Sequence, residues 1–317
     1  MHGVILDRDS FDSGDLDLGQ LDAVLPNAMS YPASRTEQVP ERIANAEVVV
    51  SNKVMVGSDS FEAAPKLRLI VVAATGTNNV DLEAARTHSV VVTNVRDYAA
   101  PAVTQHTFAL ILALQTHLLD YRNAVSAGRW QQSAHFCLLD FPIRELSGLT
   151  LGIVGYGGLG RAVAQLGKAF GMQVLIANRP GTPLQAGRVA LDEMLRRADV
   201  VSLHCPLTTD TKGLIGAVEF EMMKRDAVLI NTARGGIVDE QALADALCDG
   251  EIGAAGIDVL TTEPPTHGNA LLDPDIPNLI VTPHNAWASR ETRQRLVDEI
   301  AANIDAFHRG EPRNIVD

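Results

Sequence analysis

Cysteine is scarce in this chain: three residues in 317, at Cys137, Cys205 and Cys248. The count is odd and the spacing fits no metal-ligand pattern. Neither a disulfide framework nor a metal site is expected, and the thiols read as reduced. Long apolar runs are also missing. No stretch reaches the roughly 18 residues that a membrane span needs. The first residues lack the basic segment and apolar core of a signal peptide, so none is expected. Clusters of Lys and Arg are absent as well. Basic residues number 26 against 39 acidic ones, a net charge of −13. That balance disfavours nucleic acid and anionic membranes as partners and is read as serving solubility. No repeat of solenoid period is visible. A cytoplasmic location is the expectation.

What is present is organised around residues 149–160, Leu-Thr-Leu-Gly-Ile-Val-Gly-Tyr-Gly-Gly-Leu-Gly. The apolar run 151–154 reads as a buried parallel strand. It ends in Gly155-x-Gly157-x-x-Gly160, and apolar residues then recur at helical spacing (Val163, Leu166, Phe170). Gly155 allows a tight turn, Gly157 lets the backbone approach a pyrophosphate, and Gly160 lets the helix pack close to the strand. The helix N-terminus presents free N–H groups and a positive dipole end to phosphate. A glycine triplet alone is weak evidence among 25 glycines, but this one has the strand and helix that a dinucleotide site requires.

A chain of 317 residues suggests about two domains, and alternating strand and helix patterns indicate α/β architecture. Residues 1–98 read as a small βα domain without a phosphate fingerprint. Its strands are expected at 3–6, 47–51, 67–73 and 90–93, and its helices at 16–25, 37–46, a short one ending at 61–64 before Pro65, and 82–87, the last capped by Asp81. The loop at 74–79 sits at a strand's C-terminal end, where open α/β sheets bind ligands. Pro101 begins one long helix, 102–127, whose wide apolar face suits either an interior helix or a subunit contact. Residues 128–141, with Trp130, His135, Phe136 and Phe141, read as an irregular arm. Further strands are expected at 173–177, 200–203, 227–231, 253–259 and 279–282, with helices at 191–197, 217–223 and 240–248. A closing amphipathic helix, 291–309, is long enough to return to the first domain. The expected division is 1–98 with 288–317, and 99–287.

Arg234, Glu263 and His284 each fall at or just after a strand's C-terminal end. Singly, each has a plain reading: a surface ion pair, loop polarity, a loop histidine. Together they supply what carbonyl reduction requires. A guanidinium binds a carboxylate bidentately. An imidazole passes a proton near neutral pH. A neighbouring carboxylate fixes its tautomer and favours its charged form.

The sequence resembles the D-isomer-specific 2-hydroxyacid dehydrogenase family over essentially its whole length. The motifs that carry the resemblance are the glycine triplet, Leu203-His204-Cys205-Pro206-Leu207-Thr208, Asn231-Thr232-Ala233-Arg234-Gly235-Gly236, Asp258-Val259, Glu263-Pro264 and Thr282-Pro283-His284. Residues 74–76, 92–95 and 284–288 are most similar to the bacterial glycerate dehydrogenases, or hydroxypyruvate reductases. The resemblance implies an α/β protein of two parallel-sheet domains, a Rossmann dinucleotide-binding domain (99–287) and a smaller flavodoxin-like substrate-binding domain (1–98, 288–317), with a crevice that closes over substrate. It implies that His284 is the general acid, that Glu263 holds His284 protonated and oriented, and that Arg234 binds the substrate carboxylate, helped by backbone N–H groups of Thr75 and Gly76. It implies cofactor contacts at Gly155, Gly157, Gly158, Leu159, Gly160, Cys205, Pro206, Thr211, Thr232 and Ala233, with Asp258 on the nicotinamide carboxamide. Formate dehydrogenases share the fold but lack the acid/base Glu, so Glu263 argues against that branch.

One departure concerns the cofactor. NAD enzymes place a carboxylate about 20 residues after the glycines, on the ribose 2′-hydroxyl. Here the strand 174–177 ends in Asn178-Arg179-Pro180. Arg179 either pairs with a 2′-phosphate or faces solvent, and the expectation is NADP(H) preference with NAD(H) use possible. Trp287 either walls a small pocket, suiting hydroxypyruvate and glyoxylate, or packs between domains. The arm at 128–141 resembles the segment through which the family's dimers embrace, so a homodimer is expected, with Leu138 or Leu139 reaching a neighbour's site. Two other readings stay open: a reductase of bulkier 2-oxo acids such as phenylpyruvate, and a nucleotide-sensing corepressor or scaffold on the same fold.

Overall fold

The structure is a computed structural model that describes residues 1–316. Asp317, the end of the expected 288–317 segment, lies outside the described residues. The chain forms two compact units, Met1–Ala99 with Ala288–Asp317, and Ala100–Trp287.

The first unit is built on five parallel strands, β1 (Gly3–Ile5), β2 (Met29–Ser30), β3 (Val48–Ser51), β4 (Leu69–Val72) and β5 (Val91–Thr93), in the order β2-β1-β3-β4-β5. This is the flavodoxin-like order. Every residue of β3 and β4 is buried, as a parallel sheet covered on both faces demands. Helices α1 (Gly19–Val24), α2 (Val39–Ile43), α3 (Ser58–Ala63) and α4 (Leu82–Thr87) connect the strands. The Asp81 carboxylate accepts the Ala84 N–H at 2.9 Å and so caps α4. The C-terminal helix, Arg290–His308, belongs to this unit and buries Leu296, Val297, Ile300 and Ile304. The end of β1 is plugged by a side chain. Asp7 is buried, and its carboxylate accepts the Asn52 and Lys53 N–H groups at 2.9 and 2.8 Å.

The second unit opens on α5 (Ala100–Gln115) and α6 (Leu118–Ser126). The single helix expected over 102–127 is therefore two. His117 breaks it with a left-handed backbone (φ 48°) and turns its ring onto Asp120, with Nδ1 2.8 Å from Oδ2. The apolar face is not uniform across this break. α5 buries Val103, Phe108, Leu110, Ile111 and Leu114, whereas α6 leaves Leu118 and Leu119 exposed.

Six parallel strands follow: β6 (Thr150–Val154), β7 (Gln173–Ile176), β8 (Val200–Leu203), β9 (Val228–Asn231), β10 (Ala254–Ile257) and β11 (Leu279–Val281). Their order is β11-β10-β9-β8-β6-β7. A parallel bridge from Ala177 to Val189 adds a vestigial strand outside β7. Counted with it, the sheet runs 3-2-1-4-5-6-7, the Rossmann order with one strand more. The helices are α7 (Gly158–Ala169), α8 (Leu191–Arg197), α9 (Ala217–Met222) and α10 (Glu240–Cys248). One core lies between the sheet and α5 with α7, around Phe108, Ile111, Ile153 and Val163. The other lies beneath α8 to α10, around Leu195, Leu203, Phe220 and Leu243. The strand order reverses between β6 and β8, and ligands of open α/β sheets bind at such a point, beyond the strands' C-terminal ends.

Candidate active site

β6 ends in Gly155, whose φ of 89° is left-handed; a Cβ there would lie 2.5 Å from the Cys205 nitrogen. A Cβ on Gly160 would lie 2.1 Å from the Gly155 carbonyl oxygen. Gly157, the N-cap of α7, faces open space. The turn is thus a cradle of bare backbone. Gly158, Leu159 and Gly160 form the first turn of α7, where amides have no helical partner and the dipole favours an anion.

Behind this turn, His204 keeps some surface, but its Nδ1 is sealed from solvent without a partner, while Nε2 lies 2.9 Å from Ser202 Oγ. Burial lowers the His204 pKa from 6.5 to about 4, so the ring is neutral at pH 7. Burial also pushes the Cys205 thiol up, which keeps it protonated and unreactive. The Thr211 hydroxyl donates to the Pro206 carbonyl at 2.6 Å and accepts the Thr208 N–H at 2.7 Å, closing this loop on itself.

At the end of β7 no carboxylate appears. Asn178 Nδ2 donates to the Thr182 carbonyl at 2.9 Å, and its Oδ1 accepts the Gln185 N–H at 3.1 Å, so this side chain shapes its own loop. Arg179 is exposed. A second cation, unnoticed in the sequence, joins it: Arg188 Nη1 reaches the Ala177 carbonyl at 3.5 Å. The only sequence signal for it was the missing acid itself.

At the end of β9, the buried Asn231 donates to the Arg234 carbonyl at 3.0 Å and accepts the Ala233 N–H at 3.1 Å, fixing the turn. The Thr232 hydroxyl pairs with that of Thr107 at 3.0 Å. Arg234 is exposed, and its Nη1 donates to the Ala233 carbonyl at 2.7 Å. A Cβ on Gly235 would lie 2.0 Å from the Leu260 carbonyl oxygen, so only glycine lets the β9 turn press against the loop that carries Glu263.

That loop is staked at two points by Glu240, the first residue of α10. Its carboxylate accepts the Thr261 N–H at 2.6 Å, the Thr261 hydroxyl at 2.9 Å and the Asn269 side-chain amide at 2.6 Å. Glu263 Oε1 accepts the Leu260 N–H at 2.8 Å, and Oε2 lies 2.5 Å from His284 Nδ1. An ionised carboxylate only accepts, so Nδ1–H donates and Nε2 is left for another partner. His284 has a left-handed backbone (φ 52°), uncommon for a residue with a side chain. It is held by N–H donation to the Asp258 carbonyl at 2.8 Å and by Trp287 Nε1 donating to its own carbonyl at 3.1 Å. Asp258 follows β10 and is 1% exposed. Its Oδ2 accepts the Ala286 N–H at 3.0 Å, and its Oδ1 accepts both the Asn285 N–H at 3.0 Å and the Thr282 hydroxyl at 2.5 Å. Sequence reading paired Glu263 with His284 but gave no part to Glu240, Gly235 or Thr282.

Thr75 and Gly76 lie in the first unit after β4. The Thr75 hydroxyl donates to the Val95 carbonyl at 2.8 Å, and Asn94 donates to the Thr75 carbonyl at 2.7 Å. Among the described residues, the amides of Thr75 and Gly76 donate to no protein partner. Among the described residues, no helix is long and apolar enough to cross a membrane.

Residues 108–286 match the D-isomer specific 2-hydroxyacid dehydrogenase, NAD binding domain. The chain is 48% identical over 281 residues to a glycerate dehydrogenase of Methylorubrum extorquens, covering 89% of this chain and 88% of that one. It is 37% identical over 319 residues to a hydroxypyruvate reductase of Blautia hydrogenotrophica, covering 99% and 98% of the two chains. Among solved structures, the TT0316 protein of Thermus thermophilus superposes with a TM-score of 0.86 at 33% identity, covering all of both chains.

Proposed function

This chain belongs to the D-isomer specific 2-hydroxyacid dehydrogenase family and is an oxidoreductase that takes a nicotinamide dinucleotide; from that premise we propose that it reduces small 2-oxo acids, hydroxypyruvate and glyoxylate, to D-2-hydroxy acids. The observation that carries the reading is the His284–Glu263 hydrogen bond of 2.5 Å, which leaves Nε2 available beyond the C-terminal ends of a Rossmann sheet.

The backbone cradle at Gly155, Gly157 and Gly160 fits a pyrophosphate, because the space that side chains would fill is open. Gly158, Leu159, Cys205, Pro206, Thr211, Thr232 and Ala233 complete the proposed cofactor surface, and Asp258 would meet the carboxamide. When bound, the cofactor supplies the hydride. Arg234 binds the substrate carboxylate through its planar fork and orients the carbonyl. Thr75 and Gly76 offer amide donors to a carboxylate. His284 Nε2–H gives its proton to the carbonyl oxygen as negative charge develops there. Glu263 keeps Nδ1 protonated and so aims Nε2. His284 then regains a proton from solvent, to which its side chain is 26% open. Trp287, tied to the His284 backbone, walls the pocket and favours small substrates.

For the cofactor we propose NADPH preference with NADH accepted. Arg179 and Arg188 sit at the end of β7, where a carboxylate would repel a 2′-phosphate. We place the protein in the cytoplasm as a homodimer. The arm at 128–141 supports the dimer, since Phe136 is 91% and Leu139 85% exposed, more than a lone surface readily tolerates. The domain roles follow: the first unit binds substrate, the second the cofactor.

The test is a panel of 2-oxo acids with NADPH and with NADH. Hydroxypyruvate and glyoxylate should give the highest kcat/KM. Higher kcat/KM with phenylpyruvate overturns the substrate, and no turnover of any acid overturns the enzymatic reading. His284→Asn should lower kcat by roughly 10²–10⁴-fold.

A further inference from the structure

The Thr282 hydroxyl follows β11 and has two partners. It donates to Asp258 Oδ1 at 2.5 Å and lies 3.0 Å from Nε2 of His106, on α5. A hydroxyl has one proton. With that proton committed to the carboxylate, Thr282 Oγ1 can only accept from His106. The ring proton of His106 is thereby fixed on Nε2. The same Nε2 stands 3.6 Å from Asp258 Oδ1. A chain of donors therefore runs from His106 through Thr282 to Asp258, across partners 176 and 24 residues apart in sequence.

Asp258 is where this chain meets the active-site loop. Its carboxylate takes the Asn285 and Ala286 amides, and its carbonyl takes the His284 amide. His284 sits in a left-handed conformation, which persists only when its surroundings over-determine it. Linked hydrogen bonds polarise one another, so a donor behind Thr282 strengthens the bond in front of it.

We propose that His106 is a positioning residue for His284: its Nε2–H, through Thr282 and Asp258, locks the loop that aims the proton-donating ring. The proposal rests on the reading of His284 as the proton donor. His106 itself does not touch substrate. It ties the loop to α5, a helix embedded in the core, so the aim of the ring is set by a rigid element.

Two isosteric variants test the atom named. The Gln amide nitrogen occupies the place of Nε2, whereas the Asn amide nitrogen reaches only that of Nδ1. His106→Gln should keep kcat within about twofold, and His106→Asn should lower it about tenfold with cofactor KM little changed, the size of loss a small misplacement causes. Equal loss in both variants, or none in His106→Asn, overturns the proposal. A readout free of turnover accompanies it. Long-range 1H–15N spectra of the cofactor-free chain should place the His106 proton on Nε2; a proton on Nδ1 alone overturns the donor chain. His284→Asn is the control. If that variant stays active, the His284 reading fails, while the spectra still decide the donor chain.

Discussion

The first strands of the two units end differently, although both sit at the switch point of a parallel sheet. Asp7 stands just past β1, and Gly155 just past β6. Asp7 fills its strand end with a carboxylate that satisfies the Asn52 and Lys53 amides from within the chain. Gly155, Gly157 and Gly160 leave theirs to backbone alone. One end is closed by a side chain of its own; the other presents only backbone. The doubly wound fold therefore decides where a phosphate could sit, and the turn's side chains decide whether it can.

Breaking that contrast at its open end should have the largest effect. Gly160→Ala drives a Cβ against the Gly155 carbonyl, and cofactor Kd should rise roughly 1000-fold, about 4 kcal/mol, in fluorescence titrations. Unchanged affinity would show that the bare turn is not the receptor.

Next is a pH liability peculiar to the open end. His204 is held neutral in the fold, with its pKa near 4 against 6.5 when unfolded. Below pH 6.5 the unfolded chain takes up a proton that the folded one does not, and the folded ring is itself protonated only as the pH falls through about 4. Stability should fall across this window by about 3 kcal/mol more in the wild type than in His204→Gln, read from urea unfolding at pH 7 and pH 4.

At the closed end, Asp7→Ala should cost about 2 kcal/mol of stability by stranding two amides. It should leave cofactor affinity unchanged; a change there would merge the two ends into one function. Smallest is Arg179→Ala, expected to lower the NADPH-to-NADH ratio of kcat/KM about tenfold, or 1.4 kcal/mol. If NADH were already the better substrate in the wild type, the phosphate assignment at β7 would fall.

Legibility followed burial and chain distance. β8, α8 and α10 could be read to the residue, because their apolar spacing or unbroken burial is local. The glycine turn was equally plain. β2 was not, since Met29 and Ser30 are both exposed and show no alternation. The break at His117 was hidden because an apolar pattern continues through it, and a left-handed φ leaves little trace when the residue is not glycine. The Glu263–His284 pair could be proposed from side-chain chemistry at strand ends. What holds that pair could not: Thr282 meets a partner 176 residues away, and Glu240 reaches partners 21 and 29 residues on. Such contacts exist only once the sheet has assembled. Arg188 was hidden for a similar reason, because only the bridge to Val189 brings its segment back beside β7.

Glu240 grips Thr261 and Asn269 with a single carboxylate, and Glu263 is fastened nearby to the Leu260 amide. The stretch 264–268 therefore hangs between fixed posts, like a span whose deck can be replaced without moving its piers. An engineer could change its length or polarity and keep the hydrogen-bonded Glu263–His284 pair in register. Altering Glu240 instead would loosen a loop whose own residues were untouched.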